Sequence, residues 1–304
     1  MTTSALIIAL FAAGIRLATP ITYAALGGLF SERSGVTNIG LEGNMVFGAF
    51  GGYLIASLTQ NAWIGILGGA LCGALIGFIY SIMTVILKAD QIVLGTGINM
   101  LATALTSFFY RSMYKKGFSV FIPGLSIWEV PVLSRIPVIG PIFFRQVPLV
   151  YIVYILVPLL TIFIFKTTFG LNLRACGENP LAVKTTGIDV YKVRICAITF
   201  TGFLCGIGGA FLPVGQLSSY AEGLIAGRGF IALATIVFGQ WHPVKVYIGC
   251  IIFGLADALQ LRLQGLGISI PSEFLIMFPY LLTLVTYVSV VRRAKSPQAL
   301  GKPF

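Results

Sequence analysis

Charged side chains are scarce in this chain. Only 10% of its 304 residues are Asp, Glu, Lys or Arg, whereas 57% are hydrophobic, and its mean hydropathy is +0.97. A soluble domain usually carries about 25% charged residues, because its surface has to be solvated by water. The composition therefore excludes a water-soluble globule and indicates a chain that is surrounded mostly by lipid.

The common motifs of catalysis and metal binding are also missing. The sequence has no Gly-x-x-x-x-Gly-Lys-Ser/Thr phosphate loop, no Gly-x-Ser-x-Gly and no His-Glu-x-x-His, and His242 is its only histidine. The five cysteines are odd in number and lack metal-ligand spacing. We therefore expect a protein that is not an enzyme and that holds no metal or cofactor of its own.

The chain is strongly basic, with 20 Lys and Arg against 9 Asp and Glu. These residues lie in short segments between apolar runs, which argues against a nucleic-acid partner. Lys and Arg are enriched in cytoplasmic loops. The segment 166–194 and the C-terminal tail are thus predicted to be cytoplasmic. The loop at about 111–147 would then be external, although it carries five basic residues itself. Its prolines and apolar residues predict a structured cap.

Apolar runs dominate the rest of the chain. A membrane span needs roughly 20 apolar residues. Runs of this kind lie at about 4–29, 44–59, 62–87, 92–110, 148–165, 193–214, 229–240, 244–264 and 272–291. They predict an all-α, polytopic transmembrane helix bundle of about nine spans, with eight to ten possible, that forms one domain over 1–304. The first run lacks the basic start of a signal peptide, so we expect it to be retained.

Two interruptions predict broken helices. The polar, glycine-rich segment 31–43 lies between apolar runs, which is tolerated at membrane depth only where the segment is buried in protein or lines a wet cavity. The run 229–240 is short for a full span, so it is either a half-helix or continues through His242 and Pro243. Gly40-Leu-Glu-Gly43 and Gly227-Arg-Gly229 are weakly similar to each other, but two short matches do not establish a repeat.

Several polar side chains are embedded in apolar surroundings. Such groups are costly in a bilayer, so they either pair with one another or face water. They are candidates for lining a substrate path, the alternative being internal pairing of Glu42 or Asp257 with Arg228. The candidate substrate-path residues are Asn38, Glu42, Asn44, Asn99, Gln216, Glu222, Arg228 and Asp257.

The segment at about 166–192 carries a different pattern. Pro180 is placed to start a helix, with Asn179 as its N-cap, and Gly187 lies where that helix should end. We expect a helix of about two turns that is too polar to span the membrane. It is either an ordinary loop helix or an element that docks into a soluble partner.

Three motifs resemble one family. SERSGVTNIGLEGNM, GENPLAVKTTGI and AEGLIAGRGFIALATIVFGQW, the last followed by FGLADALQLRLQ, are similar to bacterial ABC importer permeases of the ribose, branched-chain amino acid and nucleoside group. The resemblance covers about 15–291, and the motifs occur in the same order as in the family. Within this group the chain looks most similar to the nucleoside (guanosine-type) permeases.

The resemblance implies a multi-pass permease of the bacterial cell membrane that works with several partners. These are an ABC ATPase subunit that binds the ATP, a second and different permease subunit, and an extracytoplasmic substrate-binding protein that meets the external loop. The residues that match the family's coupling helix are Gly177, Glu178, Asn179, Pro180, Ala182 and Gly187. The substrate would be a nucleoside, or alternatively a ribose- or galactose-like sugar or a branched-chain amino acid. A secondary transporter that acts alone is a further alternative.

Overall fold

The computed structural model describes residues 3–114, 121–265, 277 and 295–302. Within these ranges a bundle of α-helices forms, as predicted. The helices are α1 Thr3–Arg33, α2 Leu41–Thr59, α3 Ala62–Ser81, α4 Gln91–Met113, α5 Ile139–Phe143, α6 Pro148–Lys166, α7 Thr168–Glu178, α8 Pro180–Thr185, α9 Val190–Ala210, α10 Arg228–Phe238 and α11 Pro243–Gly265. Short π-helical segments extend α3 to Ile86 and α9 to Leu217.

Six of the described helices are long and apolar enough to cross a membrane, namely α1, α3, α4, α6, α9 and α11. The run 229–240 is the short helix α10, as one of the two alternatives predicted. The 19-residue α2 carries Glu42 and Asn44 in its first turn and is enclosed by other helices. The predicted span at 272–291 lies outside the described residues, so the total of nine stays a prediction.

The long helices α1 and α9 form the centre of the bundle and run antiparallel. Thr201 of α9 donates its hydroxyl to the carbonyl of Gly27, and the Arg194 Nε at the start of α9 donates to Ser34 O at the end of α1. Helix α3 packs on α9, α11 packs on α1, and α2 packs on both α3 and α9. The order of a long helix, a break and two further helices thus occurs twice, in opposite directions, as in inverted-repeat transporters.

Glycines allow these helices to approach closely. A Cβ on Gly73 of α3 would collide with the backbone of Gly202 and Gly206 on α9, so a larger residue would force the two helices apart. Such close packing is the usual role of small residues between membrane helices.

The break between α1 and α2 is buried in protein, which is one of the two alternatives that its polar composition left open. Ser34, Val36 and Asn38 are each at most 1% exposed. The Tyr80 hydroxyl is within hydrogen-bond distance of the carbonyls of Thr37 (2.8 Å) and Gln91 (2.9 Å). The Gln91 side chain accepts from the N–H of Thr37. Side chains of α3 and α4 therefore replace the helical hydrogen bonds that this segment lacks.

The described part of the predicted external loop forms a cap. Strand β1 (Trp128–Glu129) pairs antiparallel with β2 (Arg145–Gln146), and an ion pair of 2.6 Å joins Glu129 to Arg145. The N–H of Ile122 donates to the carbonyl of Ser218, which ties the cap to the end of α9.

Candidate functional site

Glu42 joins the two broken helices. It lies in the first turn of α2, and its two carboxylate oxygens accept hydrogen bonds from the backbone N–H groups of Gly227 (2.9 Å) and Gly229 (2.7 Å), at the start of α10. Gly227 has a left-handed φ of 81° and offers α10 no side-chain cap. A carboxylate at a helix N-terminus satisfies free N–H groups and favours the helix dipole. The two similar glycine motifs, at 40–43 and 227–229, are therefore in direct contact.

Asn99 of α4 supports the same junction from the other side. Its Oδ1 accepts from the N–H of Gly43 at 2.7 Å, and its Nδ2 donates to the carbonyl of Ile39 at 3.1 Å. The Oδ1 of Asn38 accepts from Gly40 N. In the described residues, Asn38 Nδ2 and Asn44 Oδ1 are buried without a hydrogen-bond partner. Three of the predicted path residues thus border one junction together with Glu42.

Arg228 lies between the two glycines that bind Glu42. Its guanidinium donates to the carbonyls of Leu224 and Ile225, both at 3.1 Å. Within the described part of the chain it forms no ion pair shorter than 4.0 Å, so the alternative of a direct pair with Glu42 or Asp257 does not hold in this conformation. Asp257 of α11 is 9% exposed.

A cavity of about 170 Å³ extends from Glu42 between α2, α4 and the loop before α10. Hydroxyl groups dominate the polar part of its wall. Its polar and aromatic lining residues are Glu42, Thr103, Thr106, Ser107 and Tyr220. Sequence analysis identified only Glu42 among these five. Thr and Ser recur along α4 from residue 96 to 107, which is the signal that would have found Thr103, Thr106 and Ser107, whereas Tyr220 lies outside this pattern.

Next to this cavity lie an ion pair and a group of tyrosines, of which Tyr220 lines the cavity. Arg111 of α4 binds Glu222 through two hydrogen bonds of 2.8 Å. The Arg111 guanidinium holds the pKa of the Glu222 carboxyl below its ordinary value. Next to this pair, the ring of Tyr220 lies 5.5 Å from Tyr53 and 5.0 Å from Tyr110, measured between centroids.

Gln216 is the predicted path residue that lies apart from this group. It belongs to the π-helical end of α9, and its Nε2 donates to the carbonyl of Arg16 on α1 at 3.0 Å. Both residues line a separate cavity with Leu125 and Leu261. The structure thus places Gln216 on a different surface of the bundle.

The predicted short helix is present as α8. Asn179 caps it by accepting from Ala182 N at 3.1 Å, Pro180 is its first residue, and Gly187 follows its end with a φ of 81°. The helix has six residues, about 1.7 turns. Only Val183 is buried, whereas Leu181 is 70% exposed. The helix therefore presents an apolar side chain on an otherwise polar surface.

The segment before α8 lies against the break between α1 and α2. A Cβ on Gly177 would collide with the carbonyl oxygen of Arg33. The C-terminal tail covers this contact, because the N–H of Ala299 donates to Gly177 O at 2.9 Å and that of Gly301 donates to Gly35 O at 3.2 Å. A continuous chain of contacts thus runs from α8 through the break to Glu42.

An all-helical bundle with several membrane-crossing helices, broken helices in its interior and an exposed capped helix defines a polytopic membrane permease. The family model described as the permease component of branched-chain amino acid transport systems matches residues 10–287, and the chain belongs to this family. It is therefore a transport subunit rather than an enzyme, in the cell membrane, and family membership implies ATPase and substrate-binding partners.

Two known permeases are similar in sequence to this chain over nearly its whole length. A nucleoside ABC transporter permease protein of Lactococcus lactis is 40% identical over 293 residues, which are 93% of this chain and 92% of that protein. A guanosine ABC transporter permease protein of Bacillus subtilis is 39% identical over 94% of this chain and 93% of its own length. A solved inward-facing structure described as a metal-chelate type ABC transporter has a TM-score of 0.50 at 18% identity, covering 92% of this chain and 84% of that chain. This last likeness concerns the fold alone.

Proposed function

We propose that this chain is a membrane-spanning permease subunit of an ABC importer that carries nucleosides into the cell. The observation that carries the proposal is the 39–40% identity, over more than nine tenths of each chain, to relatives named for nucleoside and guanosine transport. The cavity beside Glu42 is compatible with it. Hydroxyls there can exchange hydrogen bonds with a sugar, and the Tyr220 ring offers a surface for a base to stack on.

The substrate path runs from the ion pair of Arg111 and Glu222, through the hydroxyl-lined cavity, to the junction at Glu42. Buried polar atoms without protein partners are costly and are usually completed by water or a ligand. Atoms of this kind border the junction in the described residues, namely Asn38 Nδ2, Asn44 Oδ1 and Arg228 Nε. This supports the assignment of Asn38, Asn44 and Arg228 to the path, and Glu42 lines the cavity itself. Asn99, which binds the same junction, is assigned to the path with Glu222 and Asp257, while Gln216 borders the neighbouring cavity.

Three partners complete the transporter. The ATPase subunit, which supplies the ATP site, docks on α8 and the residues from Gly177 to Gly187. This docking places that segment and the C-terminus in the cytoplasm. The substrate-binding protein meets the external cap at 121–147, where Phe121 and Trp128 are 76% and 60% exposed. A second, different permease packs on the outer face of α4, whose main helix contact among the described residues is with α2.

The exposed face of α4 supports that last assignment. Thr96 and Met100 are exposed one turn apart on the helix, and a Cβ on Gly97 would meet no atom of the described residues within 4 Å. A face with small and polar residues is suited to another helix rather than to lipid alone.

Uptake by cells that express the complete system tests the substrate. Labelled guanosine, ribose and leucine are offered in parallel, and we expect accumulation of guanosine. Branched-chain amino acids are the second candidate, because the description of the matching family names them. Accumulation of leucine or ribose alone would reject the nucleoside assignment. Transport in liposomes without an ATPase, driven by an ion gradient, would reject the ABC mechanism.

A further inference from the structure

An apolar groove lies on the outer surface of the bundle, between α6 and α9. Both helices pack on α1 but hardly touch each other, so a cleft of about 410 Å³ remains between them. Phe30 of α1 forms its floor. Its walls are Leu159, Leu160 and Phe163 of α6 and Cys196, Ala197 and Phe200 of α9, and Phe169 of α7 closes one end.

This groove is not suited to water. All eight of its lining residues are hydrophobic, so water inside it would lack hydrogen-bond partners, and cavities of this kind are normally dry. An empty gap of this size would forfeit the dispersion contacts of the aromatic rings around it. Leu159 is 57% exposed and Cys196 is exposed, so the groove opens toward the surrounding lipid.

Two lysines flank the closed end of the groove. Lys166 is the last residue of α6, one turn beyond Phe163, and Lys192 lies one turn before Cys196 on the same face of α9. Both side chains are exposed. Lys192 makes a contact of 3.5 Å with Asp189, but exposed pairs of this kind are weak. The nearby Arg174 is turned onto the ring of Phe165, 5.1 Å from its centroid.

We propose that this groove binds one acyl chain of an anionic glycerophospholipid from the leaflet on the side of α8. The chain lies on Phe30 between the two helix walls, and its headgroup phosphate contacts Lys166 and Lys192. Long basic side chains near helix ends reach the headgroup region in this way, and basic residues there favour anionic lipids. The lipid fills the contact that α6 and α9 do not make with each other.

Fluorescence quenching in the reconstituted transporter tests the proposal. Phe163→Trp places a reporter in the groove, and Phe78→Trp places one on α3, where Phe78 is 43% exposed. Phosphatidylglycerol with brominated acyl chains is titrated into phosphatidylcholine. We expect Phe163→Trp to reach half-quenching at a lower mole fraction than Phe78→Trp. In the Phe163→Trp protein, Lys166→Ala or Lys192→Ala should raise the mole fraction of phosphatidylglycerol at half-quenching about fivefold. Lys245→Ala should leave this mole fraction unchanged.

Other quenching results would contradict the proposal. Equal quenching of both reporters, or equal quenching by brominated phosphatidylcholine, would overturn a specific anionic lipid. An unquenched Phe163→Trp would mean that protein covers the groove, either the segment 266–294 or another subunit. Native mass spectrometry of the unsubstituted transporter provides a check without a reporter, since retained phosphatidylglycerol supports the site and complete loss in mild detergent contradicts it.

Discussion

Glu42 and Gly229 are joined by a hydrogen bond of 2.7 Å from the glycine N–H to the carboxylate, although they are 187 residues apart. The bond connects the first turns of α2 and α10, the two helices that begin inside the bundle. A Cβ on Gly229 would also collide with the backbone of Glu42, so the helices approach as closely as a glycine allows. Movement of one helix start must therefore be followed by the other, or the carboxylate loses its partners.

The negative charge of Glu42 is expected to stabilise the junction between α2 and α10. Glu42→Gln replaces one acceptor oxygen by an NH2 group that faces a backbone donor. Hydrogen bonds to charged groups contribute about 1.5–3 kcal/mol, so we expect the variant complex to lose about that much stability and most of its uptake. Thermal unfolding and uptake assays measure both effects. Glu129→Gln, which breaks an exposed ion pair on the cap, is the control and should leave stability nearly unchanged.

The close approach at Gly229 is tested separately. Gly229→Ala adds a methyl group against the Glu42 backbone and should push α10 away from α2, reducing uptake at least tenfold in a complex that still assembles. Gly265→Ala is the matched control, because a Cβ there meets no atom of the described residues within 4 Å. If both variants transport normally, the contact between the two helix starts has no role in transport.

The contrast between α8 and this junction shows what the sequence alone can provide. The helix α8 was predicted because its cap, its proline and its terminal glycine are all within nine residues of one another. The contact from Glu42 to Gly229 depends on tertiary proximity, and a short echo between two motifs does not reveal it. The cavity hydroxyls were missed for another reason. Thr103 and Thr106 each donate to a carbonyl four residues back, so their presence on a helix needs no further explanation.

Docking on α8 is tested at its most exposed apolar side chain. Leu181→Asp changes a residue that is 70% exposed, so the fold should be unaffected, whereas burial of the new carboxylate in a partner would be costly. We expect substrate-stimulated ATP hydrolysis to fall at least tenfold at normal expression. Leu58→Asp is the control, since Leu58 is 74% exposed on α2 at the opposite end of the bundle. Normal stimulation in Leu181→Asp would remove α8 from the ATPase interface.

The C-terminal tail is expected to hold the coupling segment in place. Ala299→Pro removes the N–H that donates to Gly177 O. The contact between Gly177 and the break should loosen, so ATP hydrolysis should continue while uptake per ATP falls several-fold. Ser296→Pro is the control, because its N–H donates no backbone hydrogen bond within the described residues. Equal uptake per ATP in both variants would show that the tail only covers the surface.

The ion pair between Arg111 and Glu222 is expected to keep the cavity closed, and its pH dependence has a definite sign. Because Arg111 lowers the pKa of Glu222, the closed arrangement gains from the pair above the ordinary Glu pKa of about 4.3 and loses that gain as pH falls through the lowered value. A cysteine introduced by Thr106→Cys, at a position that lines the cavity and is 2% exposed, should thus react with an added thiol reagent faster once Glu222→Gln removes the charge at neutral pH. The same labelling is measured at low pH, where protonation of Glu222 should have the same effect as Glu222→Gln. Reagents that react only with thiolates are too slow there, so a disulfide reagent whose rate does not depend on pH is used. Glu129→Gln again serves as control, because its pair with Arg145 joins the two cap strands, whereas Glu222 lies in the loop between Tyr220 and Gly223, which line the cavity. Equal labelling rates in Glu222→Gln and Glu129→Gln would show that the cavity is closed by the tyrosines around Tyr220 and not by the ion pair.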